Sequence, residues 1–339
     1  MPQYGFNFQW MFAWKPGLKP SEPDLKALDF LAEHGFDFVR VCTDYRFWTD
    51  QQGPDGPDYF HPDETVLQYI DRYLEACRQR GLHLSLNQHR APGYCINANY
   101  LERHNLWTDS VAQEAFIFLW QTFARRYQGV PADSLSFDLL NEPPNPGQYE
   151  MTREGHEMLM RRTTAAIRVI DGQRPIVIDG LGGGHIAMPE LADLGATHSG
   201  RGYQPMALSH YEASWWSGHD NLTVPIYPGL RWNGTLWNRE TLRAFYSPWR
   251  EVQAAGAPIH IGECGCYNKT PNKTAMRWFK DLFGIYQDFG WGFSLWEFEG
   301  PFGIIDHGRP GAVYEEYHGY NVDRALLDLI LGARVKPAG

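Results

Sequence analysis

The feature that most restricts this chain is a repeating pair: a short apolar run, then a longer stretch of helical periodicity closed by glycine. Apolar, β-rich runs fall at residues 4–10, 38–43, 83–87, 134–141, 175–180, 258–263 and 292–298, with helical stretches at 25–34, 66–80, 111–127, 156–170, 240–255 and 274–289. Gly35, Gly81 and Gly290 stand where three of these helices must stop, a position that favours a residue without Cβ. SLSFDLL and PIVID read as continuous apolar runs, the pattern of a parallel sheet covered on both faces. Seven strands need an eighth, and residues 198–211 are the best place for it despite poor strand propensity. Eight βα units in 339 residues predict an α/β fold, a single (β/α)8 TIM barrel forming one domain over residues 1–339. A doubly wound sheet is the competing architecture, but no GxGxxG follows the first strand. Gly182-Gly183-Gly184 has no Lys-Ser/Thr behind it and is read as a loop, not a phosphate cradle.

Composition narrows the partners. A formal net charge of −10 argues against nucleic acid or an anionic membrane surface, and no apolar run reaches the ~18 residues of a membrane span. Aromatic residues make up 15% of the chain, with 13 Trp, which suits neutral ligands with flat apolar faces such as sugars. The N-terminal MPQYGFNFQWMF has no basic region or small-residue cleavage site, so no signal peptide is expected. Cys42, Cys77, Cys95, Cys264 and Cys266 are odd in number and lack zinc-site spacing. Reduced cysteines and a cytoplasmic location are the expectation.

In such a barrel the chemistry sits at the C-terminal ends of the strands. Those positions hold Arg40, His89, Asn141, Glu142, Tyr203, Glu263 and Trp296. One strand-end Glu is usually solvated or salt-bridged; so many polar and aromatic groups at six strand tops point instead to a working site. The two carboxyl groups define the reaction, because glycosidic cleavage needs an acid for the leaving oxygen and a carboxylate across the anomeric carbon. Carriers on strands four and seven predict a separation of about 5–5.5 Å, hence double displacement with retention. That chemistry asks for no metal or other cofactor. The carboxylate must also stay ionised, a task for which Arg40 is a candidate.

At this point the chain resembles glycoside hydrolase family 5, the cellulase-type family of the retaining barrel clan, over nearly its whole length. HGFDFVRVCTDYRFW looks like the family's second-strand segment with its arginine, and LNQHRAPG like the third, whose histidine is His89. FDLLNEP matches the acid/base motif, and IHIGECG resembles the nucleophile motif. The resemblance implies that Glu142 is acid/base, Glu263 the nucleophile, and Asn141 a ligand of the sugar 2-hydroxyl. FSLWEFEGPFGIIDHGR and YEEYHGYNVDRALLDLI look like the eighth strand and closing helix, with Trp296 flooring the −1 subsite. SGRGYQPMALSHYEASW aligns with the sixth-strand form, which puts Tyr203 on the tyrosine that touches the nucleophile and makes His210 a further substrate contact. It departs from the family at Arg201, where the usual residue is histidine. An arginine there changes which ring fits, recruits an anionic substituent, or turns outwards and leaves its place to His210 or Tyr211.

Other features are read as structural or peripheral. Among Trp107, Trp215, Trp216, Trp232, Trp237 and Trp249, only Trp215, Trp216 and Trp232 are taken as sugar-stacking candidates, the rest as packing. Cys264 is read as a small packing residue, and Asp179 and Asp306 as structural loop-end carboxylates. His156-Glu157 would suit a zinc helix, but Met160 stands where the second histidine belongs. The reading is a retaining β-glycoside hydrolase without a separate carbohydrate-binding module, endo-β-1,4-glucanase first. An exo-acting β-glucosidase, β-mannosidase or β-galactosidase on short oligosaccharides is the alternative, with loops 53–57 and 215–237 deciding between them. A sugar-binding pseudoenzyme predicts loss of a catalytic carboxylate, and both are present. A transglycosylase would use the same residues.

Overall fold

The computed structural model describes residues 2–14, 19–51, 57–220 and 222–334. Its eight barrel strands are β1 (Tyr4–Met11), β2 (Phe38–Asp44), β3 (His83–Arg90), β4 (Leu135–Asp138), β5 (Ile176–Asp179), β6 (Thr197–Gly202), β7 (Ile259–Cys264) and β8 (Gly292–Leu295). They close into a barrel with each strand beside its sequence neighbours. β8 returns to β1 in parallel through Tyr4–Phe293, Gly5–Ser294 and Phe6–Leu295. This is the (β/α)8 architecture that the alternating pattern predicts.

The sixth strand, placed at residues 198–211 from sequence, stops at Gly202, and Met206–Ser209 is already helical. The expected helix at 240–255 is two, Arg239–Phe245 and Ser247–Ala254. The break falls at Tyr246, two residues before Pro248, which lacks an N–H and whose ring crowds the carbonyl one turn back. In β4 the ladder is regular only to Asp138, but Leu139 N–H still donates to Val177 O at 3.0 Å and Asn141 N–H to Gln88 O at 3.1 Å. The extended chain ends at Glu142, whose φ is 47°.

The chain groups into two compact units, Phe8–Gly200 with Val252–Pro258, and Met1–Asn7 with Arg201–Glu251 and Ile259–Gly339. In the first, β2 and β3 are buried along their whole length. The helices over them are capped by short polar side chains: Asp63 accepts from Thr65 N–H, Asp109 from Val111 N–H and Thr152 from Gly155 N–H, each worth about 1 kcal/mol. Helix Ser110–Arg126 buries Phe116, Leu119, Trp120 and Phe123, and Trp120 reaches Phe137 of β4 with ring centroids 5.0 Å apart. In the second unit, helix Asn272–Phe289 buries Trp278, Phe279, Leu282, Phe283 and Tyr286 and stops at Gly290 in the left-handed region. Phe283 stacks on Phe293 of β8 at 4.6 Å.

All five cysteines are buried thiols outside any disulfide. His156 and Met160 are likewise core residues of helix Arg153–Ile170. The His156 ring lies 5.4 Å from that of Trp107, and both of its nitrogens are buried without a hydrogen-bond partner. Burial pushes its pKa down to about 3. Between the ordinary histidine value and that one, the unfolded chain takes up a proton that the folded chain refuses, so stability falls as pH drops through this range. His156→Leu is therefore expected to flatten the acid side of the stability curve. Unfolding midpoints at pH 7 and pH 4.5 check this, and parallel losses in both proteins would contradict it.

Candidate active site

Each unit carries one cluster of strand-end groups. In the first, Arg40 on β2 is 1% exposed, and a guanidinium so deeply buried needs compensating charge. Its Nε donates to Asp138 Oδ2 of β4 at 2.6 Å, and its Nη2 lies 3.7 Å from Asp179 Oδ2 at the end of β5. Nη2 also donates to Asn141 Oδ1 at 2.9 Å. The amide nitrogen of Asn141 is then turned towards His89 Nε2, 3.4 Å away, while His89 Nδ1 lies 3.2 Å from Asn87 Oδ1. The tautomer with the proton on Nδ1 satisfies both contacts.

Glu142 follows directly, half-buried. Its left-handed backbone is unusual for a residue with a side chain and costs about 1–3 kcal/mol, a strain that persists only where neighbours enforce it. Two do so: Glu142 N–H donates to Asp179 Oδ2 at 2.9 Å, and Tyr94 Oη donates to Glu142 O at 2.6 Å.

In the second unit, Glu263 at the end of β7 is 3% exposed. Tyr203 Oη donates to Glu263 Oε2 at 2.8 Å, and Arg201 Nη2 lies 3.4 Å from Glu263 Oε1. The guanidinium is wholly buried, so Arg201 neither turns outwards nor leaves a vacancy for His210 or Tyr211. It supplies a cation to Glu263, and Arg40, suggested from sequence for that task, forms ion pairs with Asp138 and Asp179. β6 comes close enough for this because residue 202 is glycine: a Cβ there would sit 2.4 Å from that of Cys264. His210 packs edge-on against Tyr203 at 5.1 Å and lies 5.3 Å from Phe302. Trp296 is 9% exposed, its N–H donating to Cys264 O at 2.8 Å.

Trp237 and Trp249 are core residues, whereas Trp215 is 59% exposed and Trp216 and Trp232 are half-buried. Of loop 53–57, residues 53–56 lie outside the described residues, as does Asn221. Asp306 accepts from Asn321 Nδ2 at 2.9 Å. Asp179, read as structural, bridges Arg40 and the Glu142 N–H. Asp138 was missed altogether, although a carboxylate inside an apolar strand is itself a signal of a buried partner. Glu297 was also missed: burial is the main cause that pushes its carboxyl up to about 8, with the charges of Glu263 and Glu299 adding and the Phe302 N–H opposing. The glycine run adopts φ values of 62°, 66° and 78° at Gly182, Gly183 and Gly184. Its N–H groups are engaged, Gly182 donating to Pro144 O at 3.1 Å and Gly183 to Pro143 O at 2.9 Å. Among the described residues no group of acidic, histidine or cysteine side chains could hold a metal ion.

The family model for cellulase (glycosyl hydrolase family 5) matches residues 3–300. Endoglucanase C of Acetivibrio thermocellus is 27% identical over 302 residues, covering 81% of this chain and 83% of its own. Cellodextrinase A of Ruminococcus flavefaciens is 27% identical over 281 residues, covering 79% and 75%. A crystal structure described as that of a glycoside hydrolase is 60% identical, with a TM-score of 0.95 over 99% of this chain and 100% of that one. Thermotoga maritima Cel5A in complex with mannotriose shares the fold, with a TM-score of 0.75 over 97% of both chains at 22% identity.

Removing Arg201 strands the buried charge of Glu263, whereas removing both charges does not. Arg201→Met is expected to destabilise the protein by about 3 kcal/mol, and Arg201→Met/Glu263→Gln by less than the sum of the single variants. Denaturant titration of the four proteins measures the coupling, and strict additivity would show that the two groups are not an ion pair.

Proposed function

Because the chain belongs to the cellulase family, glycosyl hydrolase family 5, we propose that it is a retaining endo-β-1,4-glucanase acting on β-glucans or their oligosaccharides. Glu142 carries the proton and Glu263 carries the attack. The observation that bears most weight is how Glu263 is held. Glu263 has its carboxylate oriented by Tyr203 Oη and charge-balanced by Arg201, as suits a nucleophile. Glu142 is fixed through its backbone, which sets where its carboxyl can reach.

In the first step Glu142, protonated, gives its proton to the glycosidic oxygen while Glu263 Oε attacks the anomeric carbon. The carbon–oxygen bond to the leaving sugar breaks, and a glycosyl ester forms on Glu263. Water then attacks the same carbon, Glu142 takes its proton, and the ester bond breaks to release a sugar of unchanged configuration. Asn141, oriented by Arg40 and His89, is placed to bind the 2-hydroxyl, a contact that strengthens in the transition state. Trp296 offers the apolar floor. The similarity to a cellodextrinase favours soluble oligosaccharides among the substrates and keeps exo-action on short chains as a second reading.

Glu142→Gln and Glu263→Gln are each expected to cut hydrolysis of an unactivated β-1,4-glucan by about 10³-fold or more, and near-normal turnover in either would reject the assignment. Cellohexaose labelled at its reducing end should be cut at internal bonds, with the β-anomer appearing first by NMR. Release of single units from one end only would move the assignment to the exo reading.

A further inference from the structure

The backbone of Glu142 is unusual less for its strain than for how fully the chain around it is tied down. Tyr94 lies in the tight turn after β3, where Ala91 and Tyr94 exchange backbone hydrogen bonds at 2.9 and 3.0 Å. Its ring is buried against Trp107 and Tyr149 at 5.6 and 6.0 Å. The same loop is anchored by Glu102, which takes Arg90 Nη1, Gly93 N–H and Tyr45 Oη. On the other side, β5 ends at Asp179, and the chain turns at once through the left-handed glycines. The backbone at Gly182 is left-handed, with φ 62°, and a Cβ there would come within 2.8 Å of Asn145 Oδ1, so a side chain at this turn pushes on the Asn-Glu-Pro-Pro loop. Tyr94, Asp179, Gly182 and Gly183 thus make four successive attachments, to Glu142 O, Glu142 N–H, Pro144 O and Pro143 O. None of the four touches the carboxyl group itself.

We propose that Tyr94, Asp179 and the turn at Gly182 and Gly183 form a positioning clamp that aims the Glu142 carboxyl at the leaving-group oxygen. This rests on Glu142 being the acid/base. Proton transfer demands heavy atoms about 2.6–3.2 Å apart, and a side chain on a left-handed backbone would swing away if that backbone relaxed. Burial raises the pKa of the Tyr94 phenol, which keeps it a donor to the Glu142 carbonyl throughout the working pH range. The glycine run, which carries no phosphate chemistry, has its use here. Asp179 serves both Arg40 and Glu142, so Tyr94 and Gly182 are the cleaner places to test the clamp.

Glu142 serves both steps, but kcat/KM reports only the step in which the leaving group departs, and this gives a readout that a general structural role would not move. Tyr94→Phe removes a single hydroxyl, and Gly182→Ala pushes on the loop; both are to be compared with wild type on cellotetraose and on 2,4-dinitrophenyl β-cellobioside. The dinitrophenolate leaves without a proton. Each variant should lose about ten-fold or more in kcat/KM on cellotetraose and change by less than about two-fold on the aryl glycoside. Equal losses on both substrates, or no loss on cellotetraose, would overturn the clamp. Tyr94→Phe decides the matter if Gly182→Ala does not fold. Glu142→Ala separates the premise from the proposal. If it too loses kcat/KM equally on both substrates, the acid/base assignment fails. If it discriminates strongly and Tyr94→Phe does not, the clamp alone falls.

Discussion

The buried guanidinium of Arg40 is the interaction on which the first cluster depends. A charge at 1% exposure would be costly without partners, and the partners that β4 and β5 supply are Asp138 and Asp179. Once Arg40 is fixed between them, its Nη2 donates to Asn141 Oδ1, and the Asn141 amide nitrogen faces His89. Asp179 uses the same oxygen to take the Glu142 N–H. The pair thus orders four strand ends while touching the proposed reaction only through neighbours.

The second cluster solves the same electrostatic problem differently. Its buried carboxylate is the proposed nucleophile, and the cation that answers it comes from the adjoining strand, β6. Histidine is the residue expected there. Its charge depends on pH, whereas that of arginine does not. Arg201 therefore gives Glu263 a permanent counter-charge, and Tyr203 adds a hydrogen bond to the other oxygen. The close approach of β6 to β7 at Gly202 makes room for both.

Much of this was legible in the chain, and what was not has physical reasons. The continuous apolar runs identify strands because both faces of a barrel strand are covered. The sixth strand was found by counting, since THSGRG has little strand propensity and is held in place by its neighbours. FDLLNEP and IHIGECG drew attention to both glutamates through their resemblance to the family's motifs, although the left-handed backbone of Glu142 was not legible in them. The partners were harder to read. Asp138 is 98 residues from Arg40, and Asp179 looked like an ordinary strand-end carboxylate because its importance lies in a backbone N–H that has no sequence signature. Arg201 was recognised as a departure, yet its direction could not be read, because a long side chain in a core points wherever its counter-charge lies.

Glu297 shows how such a departure can be absorbed. It follows Trp296 directly, and its carboxyl is pushed up to about 8, first by burial and then by the charges of Glu263 and Glu299. Around neutral pH it is therefore mostly a neutral acid, so Glu263 does not share its surroundings with a second full negative charge. Ionising Glu297 would set one carboxylate against another in a region where the named cation, Arg201, is already paired. The loop that follows is built round this group: a Cβ at Gly300 would lie 2.4 Å from Glu297 Oε1. Burial and the neighbouring carboxylates favour the protonated form of Glu297, which lowers the negative charge set beside the Arg201–Glu263 pair.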